Sequence, residues 1–184
     1  MCRDAQVFPG MNGFEICEQV RANDRDQPII MLTAKTGDED IIQGLSLGAD
    51  DYVAKPFSIA HLVLRVQAVL RRSRVGIETD NVIKLGDSVE IDTVNLSCKR
   101  GSEALSFTRR EIELLQYLKA NNDRPVPREE LLSKLWGYSK ELNIETRTVD
   151  IHIAKLRSKI EIEPAKPKYL VTERGAGYKL VVDS

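Results

Sequence analysis

The sequence lacks the features that would mark a secreted, membrane or metal-binding protein. Its three cysteines, Cys2, Cys17 and Cys98, are odd in number and contain no CxxC pair, so we expect neither a disulfide framework nor a zinc site. The longest apolar runs are about five residues, whereas a membrane span needs roughly 20. The N-terminus also lacks a charged-then-apolar signal pattern. We therefore expect a cytoplasmic protein with no membrane partner.

An excess of one charge sign is also missing. The 27 lysine and arginine residues nearly balance the 28 aspartate and glutamate residues, which gives a formal net charge of -1. This balance neither favours nor excludes nucleic acid, so a DNA-binding signal has to be local. With 184 residues, 42% of them hydrophobic, the chain is long enough for two small domains.

Helices and short apolar strands alternate in the first part of the chain. Helical patterns at 13–23, 38–47 and 58–72 are separated by strand-like runs at 28–32 and 51–54. This alternation predicts an α/β domain with parallel strands and crossover helices. We assign residues 1–74 to this domain, 75–81 to a linker and 82–184 to a second domain.

The second domain has a different pattern. Short alternating runs at 82–85, 89–91 and 96–98 predict an antiparallel sheet. Three helices follow, the first capped by Thr108 with Glu111 three residues later, the second opened by Pro127 and the third at about 145–161. Two final strands, 169–172 and 178–181, flank glycines that suit a tight turn. The order predicts an α+β winged helix-turn-helix domain.

The third helix carries the local charge. Its inward stripe is Val149, Ile153, Leu156 and Ile160. Its other positions include four basic residues, Arg147, Lys155, Arg157 and Lys159, against the single acidic residue Asp150. An anchored helix with a basic outer face suits the phosphates and base edges of DNA. A simple solvated surface is the alternative for such a face.

Several motifs resemble the effector domain of OmpR/PhoB-type response regulators. They are Arg147-Thr148-Val149-Asp150-Ile151-His152-Ile153, Leu135-Trp136-Gly137-Tyr138 and Arg174-Gly175-Ala176-Gly177-Tyr178. The resemblance implies a homodimer on promoter DNA, with the third helix in the major groove. It implies DNA contacts by Arg147, Thr148, His152, Lys155, Arg157 and, from the wing, Arg174. For His152, a partly buried position on the helix is the alternative. Ala154 replaces a frequent arginine, Asp150 would orient a neighbouring arginine, and Trp136 would pack internally.

The first 74 residues resemble the second half of a flavodoxin-like, doubly wound receiver domain. The motifs are Pro9-Gly10-Met11-Asn12-Gly13-Phe14, Met31-Leu32-Thr33-Ala34-Lys35 and Gly48-Ala49-Asp50-Asp51-Tyr52-Val53-Ala54-Lys55-Pro56-Phe57. By resemblance, Thr33 is the switch hydroxyl, Tyr52 the switch aromatic and Lys55 the phosphate-binding lysine. Ala5 stands where the phosphoacceptor aspartate is expected, and Asp4 is one residue out of register.

The resemblance also implies a regulatory state. The receiver's acidic magnesium pair has no counterpart here, so we expect no phosphoacceptor, metal or other cofactor, and a sensor histidine kinase partner only if a complete receiver exists. Four charged residues match the intermolecular salt bridges of the family dimer: Asp50, Asp51, Arg65 and Arg72. Intramolecular pairing or solvation of these four charges is the alternative.

We therefore predict a DNA-binding transcription regulator of a two-component system that acts without phosphorylation. An interaction or decoy partner that pairs with full-length receivers is the alternative. An enzyme built on Asp4, Thr33 and Lys55 ranks last, because paired carboxylates, a catalytic His or Cys arrangement and a phosphate-binding glycine loop are all missing from the sequence.

Overall fold

The computed structural model describes residues 10–34, 37–71, 81–137 and 147–182. They form an N-terminal region, residues 10–71, and a C-terminal region, residues 81–182. Asp4, Ala5, Arg72, Tyr138 and all but the last residue of the expected linker lie outside the described residues.

The N-terminal region alternates helices and strands as predicted. Its elements are α1 (Gly13–Asn23), β1 (Ile30–Thr33), α2 (Asp38–Ser46), β2 (Asp51–Ala54) and α3 (Ile59–Arg71). Helix α1 starts at a capping box, in which the Asn12 side chain accepts from the Glu15 N–H and the Glu15 carboxylate accepts from the Asn12 N–H. Strands β1 and β2 pair in parallel, with α2 as the crossover. This topology confirms the α/β prediction for these residues.

The C-terminal region opens with a four-stranded antiparallel sheet in sequential order. Its strands are β3 (Val82–Leu85), β4 (Val89–Asp92), β5 (Ser97–Arg100) and β6 (Glu103–Ser106). The sequence predicted the first three strands and missed β6. Leu105 is the one large apolar residue of β6, so no alternating pattern marks this strand. A turn through Gly101, whose φ is 58°, joins it to β5.

Helices and a terminal hairpin complete the winged arrangement. The elements are α4 (Arg109–Ala120), α5 (Arg128–Leu131), α6 (Arg147–Ile160), β7 (Leu170–Glu173) and β8 (Gly177–Leu180). The expected Thr108–Glu111 capping box is present at α4. Helix α5 is shorter than predicted, because a π-helical turn, Leu132–Trp136, follows it. Leucine spacing does not distinguish i+4 from i+5 hydrogen bonding, so the sequence could not reveal this turn.

Two apolar clusters stabilise the regions. The C-terminal core joins the sheet to α4, α5, α6 and the hairpin, and its fully buried residues include Ile83, Leu85, Ile91, Phe107, Ile112, Leu115, Leu118, Leu131, Val149, Leu156 and Leu180. A smaller cluster, called here the N-terminal apolar cluster, consists of Cys17, Leu45, Ala49 and Tyr52. The difference in size predicts that the C-terminal region contributes most of the stability.

The hairpin is attached to the rest of the C-terminal region by backbone hydrogen bonds. The Val126 N–H donates to the Tyr178 carbonyl at 2.7 Å, and the Tyr178 N–H donates to the Val126 carbonyl at 3.0 Å. Gly177 makes this close approach possible, because a Cβ at this position would overlap the Val126 carbonyl. Its φ of 132° also suits glycine alone.

Gly177→Ala should therefore destabilise the protein by at least about 1–3 kcal/mol, through backbone strain together with displacement of the hairpin. Gly175→Ala is the matched control, since Gly175 also has a positive φ, 78°, but an added Cβ would have nothing within 4 Å. Urea unfolding measures both variants. Equal losses would show that the contact with Val126 adds nothing to the strain.

Candidate nucleic-acid interface

Helix α6 is anchored through the predicted apolar stripe. Val149, Ile153, Leu156 and Ile160 are all buried in the C-terminal core. Since 3.6 residues make one turn, these positions form one continuous face. The opposite face is thereby directed away from the C-terminal core, as a DNA-reading helix requires.

Glu111 fixes α6 against α4 by electrostatics. Its carboxylate is fully buried, lies 3.3 Å from Lys155 Nζ and 2.6 Å from Lys159 Nζ, and accepts from the Thr108 N–H at 2.8 Å. Burial would raise the pKa of the Glu111 carboxyl, but the two ammonium groups and the hydrogen bonds outweigh burial and lower it. Two of the four basic residues counted on the helix are therefore committed to an internal carboxylate.

A polar network joins α6 to the hairpin and to α5. The Asp150 carboxylate accepts from Arg128 Nε at 2.6 Å and from the Tyr178 hydroxyl at 2.5 Å. The Arg128 guanidinium also lies over the Tyr178 ring, 4.6 Å from its centroid. The arginine oriented by Asp150 therefore belongs to α5. Burial and the hydrogen bond to Asp150 raise the pKa of Tyr178 to about 12, so its hydroxyl stays a donor.

Arg157 and Arg174 occupy different settings on the hairpin side. Arg157 donates from Nε to the Leu170 carbonyl at 2.8 Å and from Nη2 to the Thr172 hydroxyl at 2.7 Å. Its guanidinium thus ties α6 to β7. Arg174 lies at the exposed tip between β7 and β8. Helix and wing consequently form one unit with an accessible cation at its end.

The N-terminal region lies over the outer face of α6. Arg147 forms an ion pair with Asp38, the first residue of α2. Ile151 packs against the N-terminal apolar cluster. Lys155 Nζ donates to the Leu45 carbonyl at 3.4 Å. Sequence reasoning missed Asp38 and Ile151, although Ile151 gave a signal, since it is an apolar residue outside the inward stripe.

A second contact between the regions surrounds Trp136. Its Nε1 donates to the Asp50 backbone carbonyl at 2.9 Å, and its ring centroid lies 5.3 Å from that of His152. The predicted internal packing of Trp136 is thereby confirmed, since the residue is 1% exposed. Thr148 and His152, both expected to contact DNA, are buried in this arrangement.

His152 is neutral in this setting. Neither ring nitrogen makes a well-formed hydrogen bond among the described residues, although the Asp50 carbonyl lies close enough to favour protonation slightly. Burial is the main cause that lowers the pKa of His152 to about 4, with a further contribution from Lys155. Glu111 and Asp50 oppose the shift without reversing it.

The expected receiver switch residues lie near the carboxyl ends of β1 and β2. Thr33 ends β1, and its carbonyl accepts from the Lys55 N–H at 2.7 Å. The Lys55 side chain is exposed. Tyr52 is buried in the N-terminal apolar cluster. The structure therefore brings the backbones of Thr33 and Lys55 together, and it buries Tyr52 in the cluster against which Ile151 of α6 packs.

The charges expected at a dimer interface pair inside one chain. Asp50 forms an ion pair with Arg21, and Asp51 forms one with Arg65, each at 3.0 Å. Both carboxylates are almost fully buried. The arrangement corresponds to the intramolecular alternative for Asp50, Asp51 and Arg65, whereas Arg72 lies outside the described residues.

Neither a metal site nor a membrane-spanning helix is present among residues 10–34, 37–71, 81–137 and 147–182. No group of three or more His, Cys, Asp or Glu side chains there is placed to hold a metal ion. None of the helices in these segments is both long and apolar enough to cross a membrane.

Family models match both regions of the chain. The model described as the C-terminal part of transcriptional regulatory proteins matches residues 101–180. The model described as the response regulator receiver domain matches residues 5–67. The two matches follow each other in the order of the two regions.

Known proteins match almost the whole chain. The sensory transduction protein RegX3 of Mycolicibacterium smegmatis is 41% identical over 177 residues, which cover 95% of this chain and 76% of RegX3. RegX3 of Mycobacterium tuberculosis is 40% identical over 176 residues with the same coverages. Among solved structures, a RitR mutant superposes with a TM-score of 0.64 and 29% identity, over 94% of this chain and 74% of the RitR chain.

Replacing the buried carboxylate should destabilise the protein strongly. Glu111→Gln leaves Lys155 and Lys159 without their counter-charge, and breaking a buried pair in this way costs roughly 3–5 kcal/mol. Glu129→Gln, on exposed α5 surface, is the control and should stay within about 0.5 kcal/mol of the wild type. Chemical unfolding at pH 7 measures both. A loss for Glu111→Gln no larger than the control's would refute the anchoring role.

His152 should make folding sensitive to acid. A histidine with a lowered pKa stabilises the folded state above its ordinary pKa of 6.5, and this contribution falls as pH drops from 6.5 to 4. The wild type should lose roughly 3 kcal/mol over this range relative to His152→Phe, which keeps an aromatic ring but cannot titrate. Unfolding free energies at several pH values test this. Parallel curves of unfolding free energy against pH for the two proteins would contradict this prediction. The other histidine, His61, is present in both proteins and therefore cannot produce a difference between them.

Proposed function

This chain is a response regulator of the OmpR/PhoB family, a transcription regulator with a DNA-binding C-terminal domain, and we propose that it reads promoter DNA through α6 and the hairpin. The observation that carries this proposal is the rigid connection between the two elements. The Asp150–Tyr178–Arg128 network and the Arg157 bonds to β7 hold helix and wing in one orientation. Both can therefore meet one duplex at the same time.

The proposed DNA contacts are those of the outer helix face and the wing tip. Arg147, Lys155 and Arg157 are suited to phosphates or guanine edges. Thr148 and His152 are buried in this structure, so they would have to be uncovered to meet polar base edges. Arg174, exposed on a short loop, can rest on a phosphate or enter the adjacent minor groove. In this proposal residues 1–74 form the receiver part, 75–81 the linker and 82–184 the DNA-binding domain.

Binding without phosphorylation is a further part of the proposal. Ala5 occupies the position that the resemblance gives to the phosphoacceptor, and alanine has no oxygen to accept a phosphoryl group. We therefore assign this chain no enzymatic activity and no magnesium cofactor, and we place it in the cytoplasm, where promoter DNA is accessible. Dimerisation on DNA completes the proposal, with two copies on paired half-sites.

A second candidate is an interaction or decoy partner of full-length receivers. It is favoured by the outer surface of α3, where four large apolar side chains are exposed: Ile59, Val63, Leu64 and Leu70. Exposed apolar surface of this kind marks interaction sites. Mixed complexes with a full-length receiver, without any DNA binding, would select this candidate.

Arg174→Ala should weaken DNA binding by about 1–3 kcal/mol if the side chain contacts a base, or lower the salt dependence by about one charge if it contacts a phosphate. The full-length chain is titrated against a pool of random duplexes at two salt concentrations, and selected duplexes are then used for the variant. Lys99→Ala removes an exposed cation from β5 and should leave the affinity almost unchanged.

The same titration, repeated with acetyl phosphate, tests phosphorylation independence. Unchanged affinity is the expected result. An increase, or covalent phosphate on the chain, would refute this part of the proposal.

Equal effects of Arg174→Ala and Lys99→Ala on DNA affinity would show that the wing tip makes no specific DNA contact and that affinity depends only on overall charge.

A further inference from the structure

We infer that Glu161 is a positioning residue for DNA reading, because its buried carboxylate fixes the start of β7 to the end of α6 and thereby sets where the wing tip meets the duplex. The inference rests on the proposed function, in which α6 and the hairpin read one duplex together. It adds a residue that is too buried to contact DNA itself but determines which base pairs Arg174 can reach.

Glu161 joins the two reading elements at their common base. It follows directly after α6, and its N–H donates to the Arg157 carbonyl at 2.9 Å. One carboxylate oxygen accepts from the Lys168 N–H at 2.9 Å. The other accepts from the Tyr169 N–H at 2.9 Å and from the Leu170 N–H at 2.8 Å. One side chain therefore holds three successive backbone N–H groups where β7 begins.

The stability of α6 does not explain this carboxylate. A negative group at the C-terminal end of a helix is disfavoured, because the carbonyl groups there already carry partial negative charge. Arg100 of β5 satisfies that end, since its Nη1 donates to the Lys159 carbonyl at 3.1 Å and to the Glu161 carbonyl at 3.0 Å. The carboxylate of Glu161, a residue that is 2% exposed, therefore serves β7.

The loop between α6 and β7 provides no alternative anchor. Residues 162–166 are all exposed, and Ile162 is 81% exposed. The ion pair of Glu163 with Lys166, 3.0 Å long, lies on the surface. A loop without buried side chains constrains the distance between its ends only weakly. The position of β7 relative to α6 therefore depends on the Glu161 carboxylate.

The position of β7 at its start determines the position of the wing tip. Arg174 lies four residues beyond Leu170, which is about 13 Å along an extended strand. Moving the strand by one residue displaces it by about 3.3 Å, close to the roughly 3.4 Å that separates successive phosphates of one DNA strand. Such a displacement would bring Arg174 to a neighbouring base pair while α6 stays in place.

The hairpin needs two attachments to keep one orientation. Strand β8 is attached through the paired backbone bonds of Val126 with Tyr178, and these bonds alone leave the hairpin free to tilt about that point. Glu161 supplies the second attachment on β7, and Arg157 supports it by donating to the Leu170 carbonyl. Altering the Glu161 carboxylate should therefore change the orientation of the wing and leave its fold intact.

The test combines Glu161→Gln with Arg174→Ala in the whole chain. Glutamine keeps one oxygen acceptor but turns an amide NH₂ group toward the N–H groups of β7, so this variant should fold with a loosened start of β7. Glu163→Gln is the control, since it makes the same charge change on an exposed residue of the adjoining loop. Affinity for a duplex selected from the random pool is measured by anisotropy for the wild type, the three single variants and the double variant.

The two substitutions should not act independently. We expect Glu161→Gln to bind DNA about three- to tenfold more weakly than Glu163→Gln, and Arg174→Ala to have little further effect in the Glu161→Gln background. The reason is that a misplaced wing tip has little DNA contact left to lose. Effects that multiply in the double variant, or equal affinities of Glu161→Gln and Glu163→Gln, would overturn the inference and leave the proposed function intact.

Backbone hydrogen exchange tests the anchor in the absence of DNA. The amides of residues 168–170 should exchange faster in Glu161→Gln, whereas those of α6 should keep their protection. Unchanged exchange at 168–170 would overturn the inference, and so would a loss of protection throughout α6, which would assign Glu161 to the fold as a whole. Faster exchange at 168–170 without selective DNA binding by the wild type would overturn the proposed function and with it the role of Glu161 in reading DNA.

Discussion

The buried carboxylate of Glu111 determines which basic side chains of α6 are held inside the C-terminal region. It accepts a hydrogen bond from the Thr108 N–H at the start of α4 and forms ion pairs with Lys155 and Lys159 of α6. One acidic group therefore orients both helices. A carboxylate without solvent is stable only with such partners. The result is a helix whose lysines brace the domain, while the arginines stay nearer the surface. Charge counted along a sequence therefore overstates the charge that α6 can offer to DNA.

Polar groups that bind more than one partner also position the hairpin and the contact between the regions. Asp150 holds Arg128 and Tyr178, and Arg157 holds β7, so the wing is positioned by groups that also lie beside the proposed DNA surface. Asp50 binds Arg21 and, through its carbonyl, Trp136. Because the Asp50 carboxylate is already paired inside one chain, a dimer that recruits it must first break the ion pair with Arg21.

Sequence patterns predicted the parts of this structure that depend on local periodicity. The stripe of α6, the capping box of α4 and the alternation of the N-terminal region are of this kind, and all are observed. The π-helical turn and β6 were missed because neither has a distinctive spacing of apolar residues. The pairing of Arg147 with Asp38 joins residues more than a hundred positions apart, and no pattern in a single sequence records which distant charges meet. The motif residues indicated the proposed DNA surface, and the structure shows that Arg147, Ile151 and Lys155 on it contact the N-terminal region.

The position of Ile151 links these observations. On an exposed helix face an isoleucine between two cations loses favourable burial, whereas under α2 it joins an apolar cluster. The apolar contact of Ile151 thus favours the arrangement in which the N-terminal region lies over α6. The ion pair of Arg147 with Asp38 lies one helical turn away, so a charged and an apolar interaction hold the same face of α6 against the N-terminal region.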